Sequence, residues 1–244
     1  MKFFQYDSLG STNVEAHKLF MSGEAAPFWV RADEQTAGRG RRGREWVSPK
    51  GNFYATACYA FDGTPEAAAK LSFVAAIAAA RALSAYTLTT KPSLKWPNDV
   101  LLGGRKIAGL LLEAKSGYVL IGIGVNLVSH PEGGNIRATH LLEHIDLAAL
   151  NSDEPEFTGA DGFLAILARA FDKAFKTHLA YGFSATRADW IELASGLPGP
   201  VTVNLPTETF SAQAQSLLEN GALRVVARDG TIRDIHAGDV FFES

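Results

Sequence analysis

Apolar positions along the chain recur in two rhythms, and the switch between them outlines the elements. Thr12-Asn-Val-Glu15 has the spacing of a capping box, and Val14, Leu19 and Phe20 supply an apolar side behind it, so a helix is expected from Ser11 or Thr12. Residues 28–31 and 53–61 are rich in aromatic side chains and bounded by Pro or Gly, the pattern of strands. Thr64-Pro65 opens a second helix with Pro in its first turn. Leu71, Val74, Ala75, Ala78 and Ala82 fall on one side of that helix, which should therefore lie against a sheet.

Short apolar segments follow at 94–96, 100–102, 107–113 and 118–125, separated by Pro-Asn-Asp, Gly-Gly-Arg and Lys-Ser-Gly, and such tight spacing favours antiparallel strands. From Ser129 to Gly159 the chain is polar and irregular. An amphipathic helix then carries Phe163, Leu167, Ala170, Phe171, Ala174 and Phe175 on one face, and a shorter one covers roughly 184–195. Gly196-Leu-Pro-Gly-Pro200 resists regular structure and marks a boundary between residues 1–196 and 197–244. Beyond it Val201, Val203 and Leu205 alternate, and Asn220-Gly221 and Asp229-Gly230 are turn dipeptides flanked by strand-like runs at 223–227 and 231–236. So small a tail buries too little surface to stand alone and should pack on the main unit. The fold class expected is α+β, with a mixed, mostly antiparallel sheet and helices.

Composition narrows the function classes. With 47% hydrophobic and 20% charged residues in 244, the chain builds a proper core. Its 23 basic residues against 26 acidic ones leave a net charge of −3, which opposes binding of DNA or RNA through an overall field, so basic chemistry must be local. The longest apolar run, 73–80, falls well short of the roughly 20 residues of a membrane span. The N-terminus turns polar at once and lacks a secretory pattern, and Cys58 is the single cysteine, which leaves no disulfide framework or Cys-rich zinc site. A cytoplasmic protein is expected, with no membrane association.

Chemistry concentrates in two loops. Gly38-Arg-Gly-Arg-Arg-Gly-Arg44 places four Arg among interspersed glycines, which let backbone approach a ligand while the guanidinium groups face phosphate or carboxylate oxygens. A solvated basic loop is the plain alternative; a phosphate-bearing small molecule is the better reading and a nucleic-acid patch the second. The GxGxxG spacing of Gly38, Gly40 and Gly43 is rejected as a dinucleotide fingerprint, because polar residues precede it and Ser48-Pro-Lys-Gly51 interrupts any following helix. No Lys-Ser or Lys-Thr pair completes a P-loop. Repulsion among the four Arg, together with the glycines, predicts a loop that stays mobile until an anion arrives. The second loop, Lys95-Trp-Pro-Asn-Asp99 with Arg105-Lys106, reads as a rigid turn with a packed indole, or as a strand–turn–strand that brings Lys95, Asn98, Asp99 and Lys106 to one side. Lysines there would neutralise phosphate charge, and Asp99 could hold a hydrated Mg²⁺. Gly122-Ile-Gly-Val-Asn126 by itself shows little beyond close packing.

Taken in order, Ser11-Thr-Asn13, Gln35 through Trp46, Ser48-Pro49 with Gly51-Asn52, Lys95 through Asp99, Arg105-Lys-Ile-Ala-Gly109 and Gly122 through Asn126 resemble the biotin protein ligases, closely from Ser11 to Asn126 and as architecture beyond. The resemblance implies a class II synthetase-like catalytic domain over 1–196 and a small SH3-like β-barrel over 197–244. It implies ATP and biotin as substrates, Mg²⁺ as cofactor, and a biotin carboxyl carrier protein of acetyl-CoA carboxylase as acceptor, with a homodimer as the family's common assembly. The Ser-Thr-Asn motif begins at residue 11, so the short form without a DNA-binding domain is expected. By the same resemblance Ser11, Thr12, Asn13, Gln35, Gly38, Arg39, Gly40, Arg41 and Lys106 would bind biotin. Arg39, Arg41, Arg42, Trp46, Lys95, Asn98, Lys106 and Asn126 would bind ATP and the adenylate, with Arg41, Lys95 and Lys106 catalytic and Asp99 toward Mg²⁺. One departure is the end of the chain, Val240-Phe-Phe-Glu-Ser244, which carries no basic residue where some relatives do. A lipoate or octanoate ligase is the nearest alternative on the same fold, but its Arg-Arg-x-x-Gly-Gly-type loop and downstream His are absent. An RNA-binding module would leave Lys95-Trp-Pro-Asn-Asp99 unexplained.

Overall fold

The strand-forming segments assemble into two sheets in a computed structural model that describes residues 1–132, 137–146 and 157–242. The larger sheet holds β1 (Lys2–Leu9), β2 (Phe28–Gln35), β3 (Phe53–Ala60), β4 (Pro92–Lys95), β5 (Asp99–Leu102), β6 (Arg105–Lys115) and β7 (Tyr118–Val125), in the order β1-β2-β3-β7-β6-β5-β4. Its pairings are antiparallel except β1 with β2, which are parallel because the helix α1 (Thr12–Met21) carries the chain back across the sheet between them. The expected α+β architecture is observed. Strand β1 was not anticipated: only Phe4, Tyr6 and Leu9 turn inward from this edge strand, and they are only partly covered, so its alternation is faint.

One face of the large sheet is covered by α2 (Pro65–Leu83) and α3 (Gly159–Glu192), which pack along each other. Thr64 caps α2 by accepting a hydrogen bond from the Ala67 amide at 3.2 Å, and Pro65 occupies the first turn as its spacing predicts. Helix α3 joins the two expected helices, and the break between them is Gly182, whose φ of 72° is a left-handed conformation open to glycine. The core between helices and sheet includes Leu71, Val74, Ala75 and Ala78 of α2, Phe163, Leu167 and Phe171 of α3, and Leu110, Ile121 and Ile123 of the sheet. On the opposite face α1 packs Ala16 over Phe28, Val30, Cys58 and Leu120. That leaves the rest of this second face open, and the site lies there.

The smaller sheet comprises β8 (Gly199–Asn204), β9 (Thr209–Leu217), β10 (Leu223–Ala227), β11 (Ile232–Ile235) and β12 (Asp239–Phe242), antiparallel in the order β11-β10-β9-β8-β12. As its size requires, it shares a core with the main unit: Val201, Val203, Leu217, Leu223 and Val225 are fully buried in the same cluster as α2 and α3. Trp96 is 1% exposed and donates its indole N–H to the Gly221 carbonyl at 3.1 Å, which bolts the two sheets together. The packed indole expected of a rigid turn is thus observed at Trp96. Part of the polar stretch expected between 129 and 159 lies outside the described residues, at 133–136 and 147–156. No helix among the described residues is long and apolar enough to cross a membrane.

Candidate active site

The open face of the large sheet has a floor without side chains. Gly109 of β6 and Gly124 of β7 are direct cross-strand partners, and Gly122 pairs with Leu111 two residues along, so all three glycines face the same way. Larger groups lie in the space they leave. A Cβ on Gly124 would fall 2.5 Å from Nε1 of Trp46, one on Gly109 would fall 2.8 Å from Cζ3 of the same ring, and one on Gly122 would fall 2.5 Å from Oδ1 of Asn13. These glycines are therefore required by close approach. The Trp46 indole lies across β6 and β7, with its Nε1 buried and without a hydrogen-bond partner.

At one end of this floor the start of α1 presents Ser11, Thr12 and Asn13, all buried. The expected capping box does not form, because the residues that would make it are engaged elsewhere. Ser11 occupies the N-cap without a side-chain bond, and Glu15 pairs with Lys18 at 3.2 Å. Gln35 takes over the capping role: its Oε1 accepts from the Thr12 amide at 2.9 Å and the Thr12 hydroxyl at 3.1 Å, while its Nε2 donates to Ser48 Oγ at 3.1 Å. Thr56 on β3 supports the group from below, 2.8 Å from Thr12 Oγ1 and hydrogen-bonded to Asn13 Oδ1. With its oxygen so held, Asn13 turns its Nδ2 toward the cleft, buried and unpartnered. A buried amide N–H₂ without an acceptor is costly, and a ligand carbonyl would satisfy it.

At the other end stand the lysines. Lys95 and Asp99 pair across the hairpin between β4 and β5. The β5–β6 ladder shifts register between Val100 and Leu101, so Val100 faces Ala108 but Leu101 faces Lys106. This bulge turns Lys106 onto the same face as Gly109, three residues away, where an unbroken strand would have put the two on opposite faces. Lys106 Nζ lies 2.6 Å from Asp99 Oδ1 and 5.4 Å from the Trp46 ring centroid, and Lys95 Nζ lies 3.9 Å from the other Asp99 oxygen. Burial pushes the Lys95 ammonium below the usual lysine range and Lys106 adds to that, with Asp99 opposing. The backbone of Lys106 is gripped from both sides, by Arg137 O at 2.8 Å and Thr139 N at 3.0 Å. Asn126 anchors the same segment, donating from Nδ2 to the Thr139 carbonyl at 3.0 Å.

The arginine loop forms the rim as a tight reversal. Gly40 N bonds Arg44 O at 2.7 Å and Trp46 N bonds Gly38 O at 3.0 Å, with Arg42 and Gly43 at the tip in left-handed backbone, φ 57° and 72°. Arg41 points inward and donates to Asn98 Oδ1 at 3.0 Å, and Asn98 Nδ2 in turn donates to Leu110 O at 2.6 Å. Burial lowers the Arg41 pKa, with Asp239 and Asp99 opposing. Arg39 lines the cleft but is exposed. Two expected residues do not line it. Gly38 is buried under the loop, where a Cβ would meet Trp46 O and Ser48 Oγ, and Arg42 turns outward to Asp239 at 3.4 Å. Arg44 reaches the same carboxylate at 3.0 Å. Self-repulsion of the loop thus already has a counterion inside the protein.

Sequence reading missed Ser48 and Thr56 as polar supports, the role of the three glycines, and the contribution of β12, whose Asp239, Val240 and Phe241 close one wall. The glycines at 122 and 124 carried a signal in their spacing, and Ser48 and Gly109 one in the motifs of the resemblance, whereas Thr56 and the β12 residues carried none. The arrangement as a whole offers an unsatisfied amide donor at one end, cations at the other, and an indole over a bare floor between, which suits an elongated ligand with a polar head and an anionic end.

Comparison with known proteins fits that geometry. The model of the biotin/lipoate A/B protein ligase family matches residues 7–127, and that of the biotin protein ligase C-terminal domain matches 200–243. The biotin–acetyl-CoA-carboxylase ligase of Paracoccus denitrificans is 39% identical over 240 residues, covering 95% of this chain and 97% of that protein. The biotin protein ligase of Aquifex aeolicus in complex with biotin and ATP superposes with a TM-score of 0.80 at 23% identity, over 99% of each chain. The Leishmania major biotin protein ligase in complex with biotinyl-5-AMP superposes with a TM-score of 0.62 at 26% identity, over 97% of this chain and 99% of that one.

Proposed function

The chain belongs to the biotin protein ligase family, and on that premise we propose how its cleft carries out the family's reaction. The activity is ATP-dependent biotinylation. A biotin carboxylate oxygen attacks the α-phosphorus of ATP, the bond to pyrophosphate breaks, and biotinyl-5′-AMP results. The amine of a carrier-protein lysine then attacks the acyl carbon, AMP leaves with the bonding electron pair, and the amine loses a proton. The acceptor is the carrier subunit of acetyl-CoA carboxylase.

The observation that carries the assignment of residues is the unpartnered Asn13 Nδ2 in a cleft whose opposite end holds Arg41, Lys95 and Lys106. Biotin's ureido carbonyl accepts from Asn13, and its ring N–H groups face the oxygens of Ser11 and Thr12, with Gln35 holding that group in place. The valeryl chain runs from that end toward the lysines along the Trp46 indole, which itself covers Gly109 and Gly124. Its carboxylate and the α-phosphate, which repel each other, meet between Arg39, Arg41 and Lys106, whose charge lowers the approach barrier and stabilises the crowded phosphorus. The ion pair with Asp99 keeps the Lys106 ammonium pointed at that spot in advance. Lys95 faces the departing phosphates, and Trp46, near Asn126, covers the adenylate. Gly40 lets the loop backbone approach, Gly38 packs beneath the loop against Trp46 and Ser48, and Arg42 acts at the rim through Asp239.

Magnesium fits this chain's own side chains poorly. Asp99 is a single carboxylate already neutralised by two ammonium groups, at 2.6 and 3.9 Å, whereas Mg²⁺ seeks uncompensated oxygen ligands. A cytoplasmic location accords with a lone buried thiol, Cys58, and sedimentation at working concentration tests the homodimer.

Pyrophosphate–ATP exchange with biotin, octanoate or lipoate tests the reading, followed by labelling of the carrier subunit. Biotin alone should support exchange. Exchange driven by octanoate or lipoate, or none with biotin, would refute it.

A further inference from the structure

Behind the Lys106 wall, three side chains converge that the biotinylation chemistry does not use. Nδ1 of His130 and Nδ1 of His140 lie 2.9 Å apart, and Glu143 Oε1 lies 3.6 Å from the first and 3.4 Å from the second. Among the described residues this is the group of His, Cys, Asp and Glu ligand atoms close enough to share one ion. Bonds of about 2.0–2.2 Å to a tetrahedral Zn²⁺ place ligand atoms roughly 3.3–3.6 Å apart. Both histidine–glutamate separations fall at that spacing. The two imidazoles need to part by only a few tenths of an ångström, within reach of a small rotation about χ2.

The supports are those of a built site. Asn52 Oδ1 accepts from the amides of Leu127, Val128 and Ser129, at 2.8, 2.9 and 3.2 Å, and so fixes the chain entering His130. Thr139, next to His140, is fully buried and bonded to Lys106 through its backbone. The second carboxylate oxygen of Glu143, facing away from the histidines, accepts from Thr139 Oγ1 at 2.6 Å and pairs with Arg105 at 2.9 Å. Metal-bound carboxylates are held in this way by outer partners, which set their orientation. The three side chains are between 19% and 31% exposed, so one side stays open to solvent for a fourth ligand.

We propose that His130, His140 and Glu143 form a binding site for one divalent ion of the Zn²⁺ class, with water in the fourth position. Two imidazoles and one carboxylate select such an ion over Mg²⁺ or Ca²⁺. The site is structural. It joins the segment after β7 to the segment that grips Lys106, and the neighbouring Pro131 and Ala138 line the cleft, so the ion staples one wall of the site.

The test uses the full chain stripped with chelator and read without biotin or ATP, so its result stands apart from the ligase assignment. Co²⁺ titration followed by visible absorption should show one tetrahedral site per chain, displaced by Zn²⁺. His140→Ala and His130→Gln should each weaken Co²⁺ binding at least 100-fold, and Zn²⁺ should raise the melting temperature of the wild type but of neither variant. If one variant fails to fold, the other decides. A purely hydrogen-bonded histidine pair would give no stoichiometric absorption, and scattered surface binding would be unchanged in both variants. Either result overturns the site.

Discussion

Substituting alanine for Gly124 probes the glycine floor with a single carbon. The new Cβ would lie 2.5 Å from Nε1, 2.6 Å from Cε2 and 2.9 Å from Cζ2 of Trp46, about 1 Å inside ordinary carbon contact. Gly124 is locked into two ladders, opposite Tyr54 on one side and Gly109 on the other, whereas Trp46 sits on a loop, so the indole must yield. Taking roughly two-thirds of a Trp side chain's ~200 Å² as its docked area, and about 25 cal/mol per Å², docking is worth up to about 3 kcal/mol. Losing it shifts the docked-to-free ratio of the indole by about 100-fold. Trp29, Trp96 and Trp190 are at most 1% exposed, so the fluorescence that iodide can newly reach in G124A reports Trp46. The half-saturating ATP concentration for biotin-dependent exchange should rise at least tenfold, since an aromatic–base stack is worth about 1–3 kcal/mol. Gly10→Ala, with nothing within 4 Å of its Cβ, is the control and should change neither readout. Quenching and ATP dependence in G124A that match the wild type would refute the floor argument.

Arg41→Ala should keep the fold and melting temperature within a degree or two while releasing biotinyl-5′-AMP about 10- to 100-fold faster, because a charge-assisted bond of about 1.5–3 kcal/mol is lost; a variant that unfolds would assign Arg41 a structural role instead. Hydrogen exchange across residues 38–46 should slow when biotin and ATP bind, while 107–112 changes little; equal protection with and without ligand would remove any closing role for the loop. His178 sits 2.9 Å from Thr186 Oγ1, and burial, then the charge of Lys70, lowers its pKa. Its contribution to stability is therefore complete above its unfolded pKa of about 6.5 and is lost as pH falls below it. The urea midpoint of the wild type should drop more steeply from pH 7 to 5 than that of His178→Asn, and parallel slopes would contradict the assignment.

The parts of this molecule legible in the sequence are those set by local periodicity. Helix α2 announces itself by its Pro start and one apolar side, and β3, β6 and β7 by apolar runs between turns. Lys95, Asn98, Asp99 and Lys106 do meet, as the strand–turn–strand reading requires. What stayed hidden depends on register. That Gly109 faces Gly124 is a cross-strand fact, and that Lys106 shares their face depends on one bulged residue, which nothing in the apolar run around Ile107 discloses. The capping box was misread because Thr12 is recruited by Gln35 and Thr56, residues 23 and 44 positions away. Asp239 was invisible for the same reason, being 195 residues from Arg44.

That distant carboxylate bears on how an acidic chain keeps a cationic cleft. Four Arg within six residues and two lysines across the floor would repel one another if no anion were near. Two carboxylates stand in: Asp99 between Lys95 and Lys106, and Asp239 between Arg42 and Arg44. Neither is a perfect counterion. Lys95 still has its ammonium disfavoured by burial, as Arg41 has its guanidinium, so both gain when further negative charge arrives. Binding a carboxylate and a triphosphate therefore replaces marginal internal pairing with stronger external pairing while the groups stay nearly in place. Any ordering of the basic loop on binding starts from a partly set shape, because Asp239 already holds its outer arginines and the inward Arg41 is aimed through Asn98. Preorganisation of this kind places the cost of gathering like charges in the folding of the protein and leaves the attraction for the bound reactants.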